Sequence, residues 1–107
     1  MIISFETEEI RDICESSEEA IQSLGEFSAN KLKTRLSEIV AAGNLQEEVI
    51  NLYIKYDDEK KLYILPIGNH VLELKPVNNP LRKDDIGNFE PSKITRLKVF
   101  SIKKMDS

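Results

Sequence analysis

An α+β domain is the fold class this sequence predicts, and three features predict it. A short apolar run opens the chain, helical periodicity fills residues 7 to 43, and strand-like alternation dominates thereafter. That order gives an N-terminal strand, a helical hairpin and then an antiparallel β-meander, with the helices packed on one face of the sheet. The 107 residues suit one domain, spanning 1–107, with a modest single core.

Ile2 to Phe5 reads as the first strand. Thr7 caps a helix in TEEIRDICES, and the acidic first turn of that helix complements its dipole. Ser16 followed by Glu19 fits a capping box for a second short helix, EEAIQSL, which Gly25 can end. The longest periodic segment is EFSANKLKTRLSEIVAAG. Its apolar positions Phe27, Leu32, Leu36, Ile39 and Val40 approximate three-four spacing, Lys31, Lys33, Arg35 and Glu38 give a polar outer face, and Gly43 is a natural stop. NLQEEV adds a short helical turn.

From residue 50 the period changes. INLYIKY alternates and is rich in Ile and Tyr, which suits a strand. DDEK is a turn, KLYILPI the returning strand, GNH a second turn and VLELKPV a third strand of the meander. NNPLRKDDIGNFEPS, residues 78 to 92, is a loop, and KITRLKVFSIKK closes the chain as a final strand. Along GNHVLELKPVNNP, His70, Leu72 and Leu74 share the face expected to meet the helices, while Val71, Glu73 and Lys75 share the outward face.

Composition narrows the function classes. Hydrophobic content of 40% and charged content of 32% are those of an ordinary globular domain. With no apolar run of membrane-spanning length and no leader pattern, the expectation is a cytoplasmic protein without membrane contact. Cys14 is the single cysteine and His70 the single histidine, so neither an internal disulfide nor a cysteine–histidine metal cluster is expected, and no cofactor is. Cys14 reads as a small buried apolar residue. The net charge of −4 is distributed unevenly. Residues 1 to 26 carry eight acids against Arg11 alone, whereas residues 93 to 104 carry Lys93, Arg96, Lys98, Lys103 and Lys104 with no acid. That last strand is either a local positive field or a strand edge guarded by lysines.

Ile13 and Cys14 sit late in the first helix, and Ala41, Ala42, Asn44 and Leu45 end the long one. GNHVLELKPVNNP follows in the sheet, and Ser92, Lys93, Ile94 and Thr95 start the last strand. In this order and spacing, over nearly the whole chain, the set resembles the HigB branch of the RelE/ParE toxins. The resemblance implies a RelE-like fold and the toxin component of a type II toxin–antitoxin system, a small RNase that enters the ribosomal A site and cuts messenger RNA. It also implies a cognate antitoxin, often of the helix-turn-helix type, that binds the toxin and represses the shared promoter.

Cleaving RNA through its 2′-hydroxyl needs a proton acceptor, a cation for the crowded phosphate and a proton donor for the leaving oxygen. Similar toxins project Lys, Arg, Tyr, His and Asp from one sheet face. On this resemblance their arginine falls on Val71, and their C-terminal aspartate-tyrosine-histidine ending falls on Lys104, Met105 and Asp106. The expected site is therefore weakened or rearranged. Lys55, Lys60 and Lys104 are the catalytic candidates that remain, and Tyr56, Lys61, Arg96, Lys98 and Lys103 are the candidates for RNA contact; Asp58 matches a family aspartate. Each residue type also has a plainer role, with lysines solvated and Tyr56 and Tyr63 packed in the sheet. His70 reads as a packed, hydrogen-bonded imidazole rather than a catalyst. Two other functions stay open on the same fold: a catalytically inactive binding module or co-repressor, and a ParE-like gyrase inhibitor.

Overall fold

The caps written in the sequence form as hydrogen bonds in the computed structural model, which describes residues 1–44, 53–77 and 94–105. Strand β1 (Ile2–Phe5) leads to Thr7, whose Oγ1 accepts the Ile10 N–H at 3.1 Å and starts helix α1 (Glu8–Glu15). Ser16 accepts the Glu19 N–H at 3.3 Å and starts α2 (Ser17–Leu24). Gly25, at φ +84°, then breaks the path into α3 (Glu26–Ala41). No side chain in the last turn of α3 is basic; the α-ammonium of Met1 instead donates to the carbonyls of Ile39 at 3.0 Å, Val40 at 3.1 Å and Ala42.

The second half folds as the meander its alternation predicts. Strands β2 (Lys55–Asp57), β3 (Leu62–Ile67), β4 (His70–Pro76) and β5 (Arg96–Lys104) pair antiparallel in sequence order. Strand β1 adds in parallel to β5, so the five-stranded sheet is mixed, with the order β1-β5-β4-β3-β2. With three helices among the described residues, the chain is an α+β fold. The strand expected in INLYIKY is shorter than its alternation suggests: Tyr53 lies in a turn and pairing begins at Lys55. The register places Pro66 opposite Tyr53, and proline has no N–H to extend the ladder there. The expectations for residues 45–52, for the loop at 78–92, and for Lys93 and Asp106 lie outside the described residues.

Among the described residues, helices and sheet meet on one side only. Leu65, Ile67, Leu72, Leu74, Leu97 and Val99 are fully buried and cluster with Ala20, Ala29, Leu32 and Ile39 of the helices. Each such aliphatic contributes about 1.5–3 kcal/mol over an exposed one, so this side is the core. The buried stripe of α3 departs from expectation. Phe27 and Val40 are 59% and 61% exposed, Leu36 is half-buried, and Ser28 and Ala29 are buried instead. The cause is close approach: a side chain larger than serine or alanine at 28 or 29 would hold the helix off the sheet. Arg35 and Glu38, expected on the outer face, are also half-buried. Arg35 Nη1 binds both Glu38 oxygens, at 2.8 and 2.9 Å, while its guanidinium stacks 3.6 Å from the centre of the Tyr53 ring.

The tightest approach is at the turn between β3 and β4. Gly68 has φ +68°, and a Cβ added there would lie 2.9 Å from Ser28 Oγ and 3.1 Å from Ser28 Cα. Ser28 Oγ accepts the Asn69 N–H at 3.0 Å and lies 3.0 Å from His70 Nδ1. His70 is thus the half-buried, hydrogen-bonded imidazole the alternation predicts, facing the helices. Gly68→Ala should destabilise the fold by roughly 2–4 kcal/mol, from the left-handed backbone and the clash together. At the β2–β3 turn the sign reverses. Lys61 holds φ +58° without being glycine, so Lys61→Gly should be neutral to stabilising by about 1 kcal/mol. Urea denaturation of the two variants checks both signs.

Candidate functional site

The sheet face opposite the helices is set by pairing. Lys55, Ile64, Glu73 and Ser101 share one cross-strand row, and Pro66, Val71 and Lys103 share the next. Both rows lie on the face away from the helix-side core, as do Lys75, Lys98 and Ser4 further along. Leu62 is buried on this face and stands outside the helix-side cluster.

Strand β5 does not alternate regularly. Glu73 pairs with Ser101 but Leu74 pairs with Val99, so Phe100 is an extra residue in a β-bulge. Phe100 and Ser101 consequently both turn toward the open face: Ser101 reaches Glu73, and the Lys75 ammonium sits 3.9 Å from the Phe100 ring centre. Beyond the bulge the phase has shifted. Ile102 packs against the core, Lys103 points outward, and Lys104 pairs with His70, on the helix side.

At the centre of the open face lies a carboxylate. Glu73 is 2% exposed. Its Oε1 accepts from Ser101 Oγ at 2.5 Å and from Lys103 Nζ at 2.9 Å, and its Oε2 lies 3.5 Å from Lys60 Nζ, contributed by the β2–β3 turn. Burial pushes this carboxyl up, but the hydrogen bonds from Ser101 and Lys103, with the charges of Lys103 and Lys60, more than reverse that push and leave Glu73 below the ordinary glutamate value. Asp57 Oδ1 fixes the turn by accepting the N–H groups of Glu59 at 3.0 Å and Lys60 at 3.2 Å. Further along the face Lys98 pairs with Glu6 at 2.7 Å, which lowers the Glu6 carboxyl.

The residues predicted from sequence divide accordingly. Lys60 and Lys103 converge on Glu73, and Lys55 shares the Glu73 row with no ion pair among the described residues. Arg96 and Lys98 lie on the same face toward the other end of β5. Three candidates are not brought together with these. Tyr56 pairs with Tyr63 on the helix side, its ring 5.0 Å from that of Tyr63 and its hydroxyl buried, because β2 alternates about Lys55. Lys61 points away and pairs with Asp58 at 3.3 Å. Lys104, a catalytic candidate by sequence, is carried to the opposite face by the bulge. Sequence reasoning missed Glu73, Ser101, Phe100 and Lys75 as site residues. The outward alternation of Val71, Glu73 and Lys75 marks two of these neighbours, but nothing in the β5 sequence marks the bulge.

Elsewhere, chemistry is muted. Burial, and then Glu15, push the Cys14 thiol up to about 12, which leaves it unreactive at neutral pH. Burial, and then Tyr56, push the Tyr63 phenol up. No group of three or more metal-ligating side chains occurs among the described residues, and no helix there is long and apolar enough to cross a membrane. No family model, curated protein or solved structure matches the chain.

What the open face can do is hold an anion beside a carboxylate. Lys60 and Lys103, each about half exposed, keep N–H donors for solvent while Glu73 fixes their positions. Glu73→Gln should cost about 1–2 kcal/mol by removing a charged acceptor from buried hydrogen bonds. It should also change the acid limb of stability. Because the folded value is lowered, the contribution of Glu73 is complete above the ordinary value of 4.5 and is lost as pH falls through the folded value. Wild-type stability should therefore decline more steeply below pH 4.5 than that of Glu73→Gln, as thermal melts across that range would measure.

Proposed function

We propose that this protein is a RelE-like, HigB-type toxin of a type II toxin–antitoxin pair, whose open sheet face contacts messenger RNA at the ribosome with a weakened cleavage site. The observation that carries this reading is the lysine cluster at Glu73, one cross-strand row from Val71. Lys103 lies directly across the ladder from Val71, Lys60 reaches in from the turn, and the helices pack on the other side. The RelE-like arrangement itself is supported by the order of strand, helices and meander together with the sequence resemblance.

Chemistry supports weakness. Val71 offers no cation, the only imidazole is engaged by Ser28 on the far face, and the oxygens of Glu73 are occupied by Ser101, Lys103 and Lys60. Phosphate neutralisation is retained while the proton acceptor is compromised. The occupied carboxylate equally favours a second reading, in which the same fold serves as a catalytically inactive binding module or co-repressor. In either case the partner is a cognate antitoxin. A groove between α1 and α3, lined by Cys14, Lys33, Leu36, Ser37, Val40 and Ala41, offers a largely apolar seat for an amphipathic antitoxin segment, and Arg96 and Lys98 offer charge on the other sheet face.

Inducible expression separates the readings. A toxin arrests growth and leaves cleaved transcripts; a binding module forms a tight complex with its antitoxin while messages stay intact. Lys55→Glu, which disturbs no ion pair among the described residues, should weaken RNA binding and reduce its salt dependence by about one charge. Val71→Arg should raise transcript cleavage about tenfold or more, since one well-placed donor is worth roughly a hundredfold in related chemistry. Unchanged cleavage in Val71→Arg would remove the weakened-nuclease reading.

A further inference from the structure

The bulge places an aromatic ring where a sheet normally needs none. Phe100 has no partner residue on β4, stands on the solvent side between Lys75 and the Glu73–Ser101 pair, and is only half-buried. The Lys75 ammonium caps its ring, 3.9 Å from the centre. Were β5 regular, Ser101 and Lys103 would turn to the core; the irregularity presents the ring and the cations on one surface.

We propose that Phe100 is a stacking platform for an unpaired base of single-stranded RNA, with Lys75 and Lys103 reaching the phosphates on either side. This rests on the RNA-contact reading above and names how that face holds its ligand. An aromatic on a strand flanked by cations is the arrangement that grips single strands without reading their sequence, because every base has a π face. Lys75 marks the ring face as reachable, and its flexible stem lets the ammonium move from ring to phosphate as a base arrives. A duplex keeps its bases stacked on one another and has none to offer.

The protein contains no tryptophan, so Phe100→Trp introduces a single fluorophore at the platform. It is titrated with a single-stranded oligouridine, an abasic strand of the same length and a duplex RNA. The expected result is quenching by oligouridine alone, with oligouridine bound to the wild type about tenfold more tightly than the abasic strand. Phe100→Ala and Phe100→Leu, the latter keeping apolar bulk, should erase that preference and leave abasic affinity unchanged, as read by anisotropy of labelled strands. Equal binding of both strands to wild type and variants, still weakened by Lys55→Glu, overturns the platform and spares the phosphate-contact reading. Absence of binding to any of the three probes overturns both.

Discussion

The hydroxyl of Ser28 holds the β3–β4 turn against α3, and the two faces of the sheet acquire their identities from that grip. It accepts the Asn69 N–H, meets His70 Nδ1, and sits against a Gly68 that has no room for a Cβ. Once His70 faces the helix, the pleat sends Leu72 to the core and Val71 and Glu73 to the other side. A slip of one residue would bury Val71 and Lys75 and expose Leu72 and Leu74, so the register is over-determined by hydrophobic burial and by the turn together. That grip is why the only imidazole is spent on architecture.

Strand β5 obeys a different rule, and it decides how much was legible in the sequence. The order of elements, both caps, the alternation of β4 and the role of His70 follow from local chemistry, which the residues display. The parallel pairing of β1 with β5 does not, since it joins residues far apart in the chain through the packing of the helices between them. Nor does the bulge at Phe100. Counting alternate residues from Arg96 puts Lys104 on the open face; the extra residue reverses the parity and puts Lys103 there. Tyr56 differs: alternation with Ile54 already puts it on the helix side, and only the resemblance offered it as an RNA contact. Candidate site residues on strands are thus legible only where the phase is anchored, as β4 is by Ser28, and the long helix misled for the kindred reason that small Ser28 and Ala29, not the large Phe27 and Val40, mark its close-packed side.

Glu73 raises the question of why a buried carboxylate belongs between the lysines of that face. As a stabiliser it is poor. Its burial opposes ionisation, and it takes the Ser101 hydroxyl as well as two half-exposed lysines to reverse that cost. An aliphatic residue beside Ile64 would serve stability as well. What the carboxylate supplies is position: Lys60 from a turn and Lys103 from a strand end, each with a flexible stem, are drawn to one point, and Asp57 holds the turn that delivers Lys60.

The charges of that cluster then fit one kind of ligand. Two ammonium groups against one carboxylate leave a single net positive charge, matching one phosphodiester rather than a multiply charged phosphate. Without Glu73, two lysines brought as close as they are would repel and splay; without the second lysine, the pair would be neutral and indifferent to anions. The acidic residues of α1 and α2 and the Glu6–Lys98 pair make those parts of the surface poor sites for polyanions. If the face binds RNA as proposed, the strip from Lys55 across to Lys103 and along to Phe100, with its single unit of excess charge, suits one strand better than a duplex.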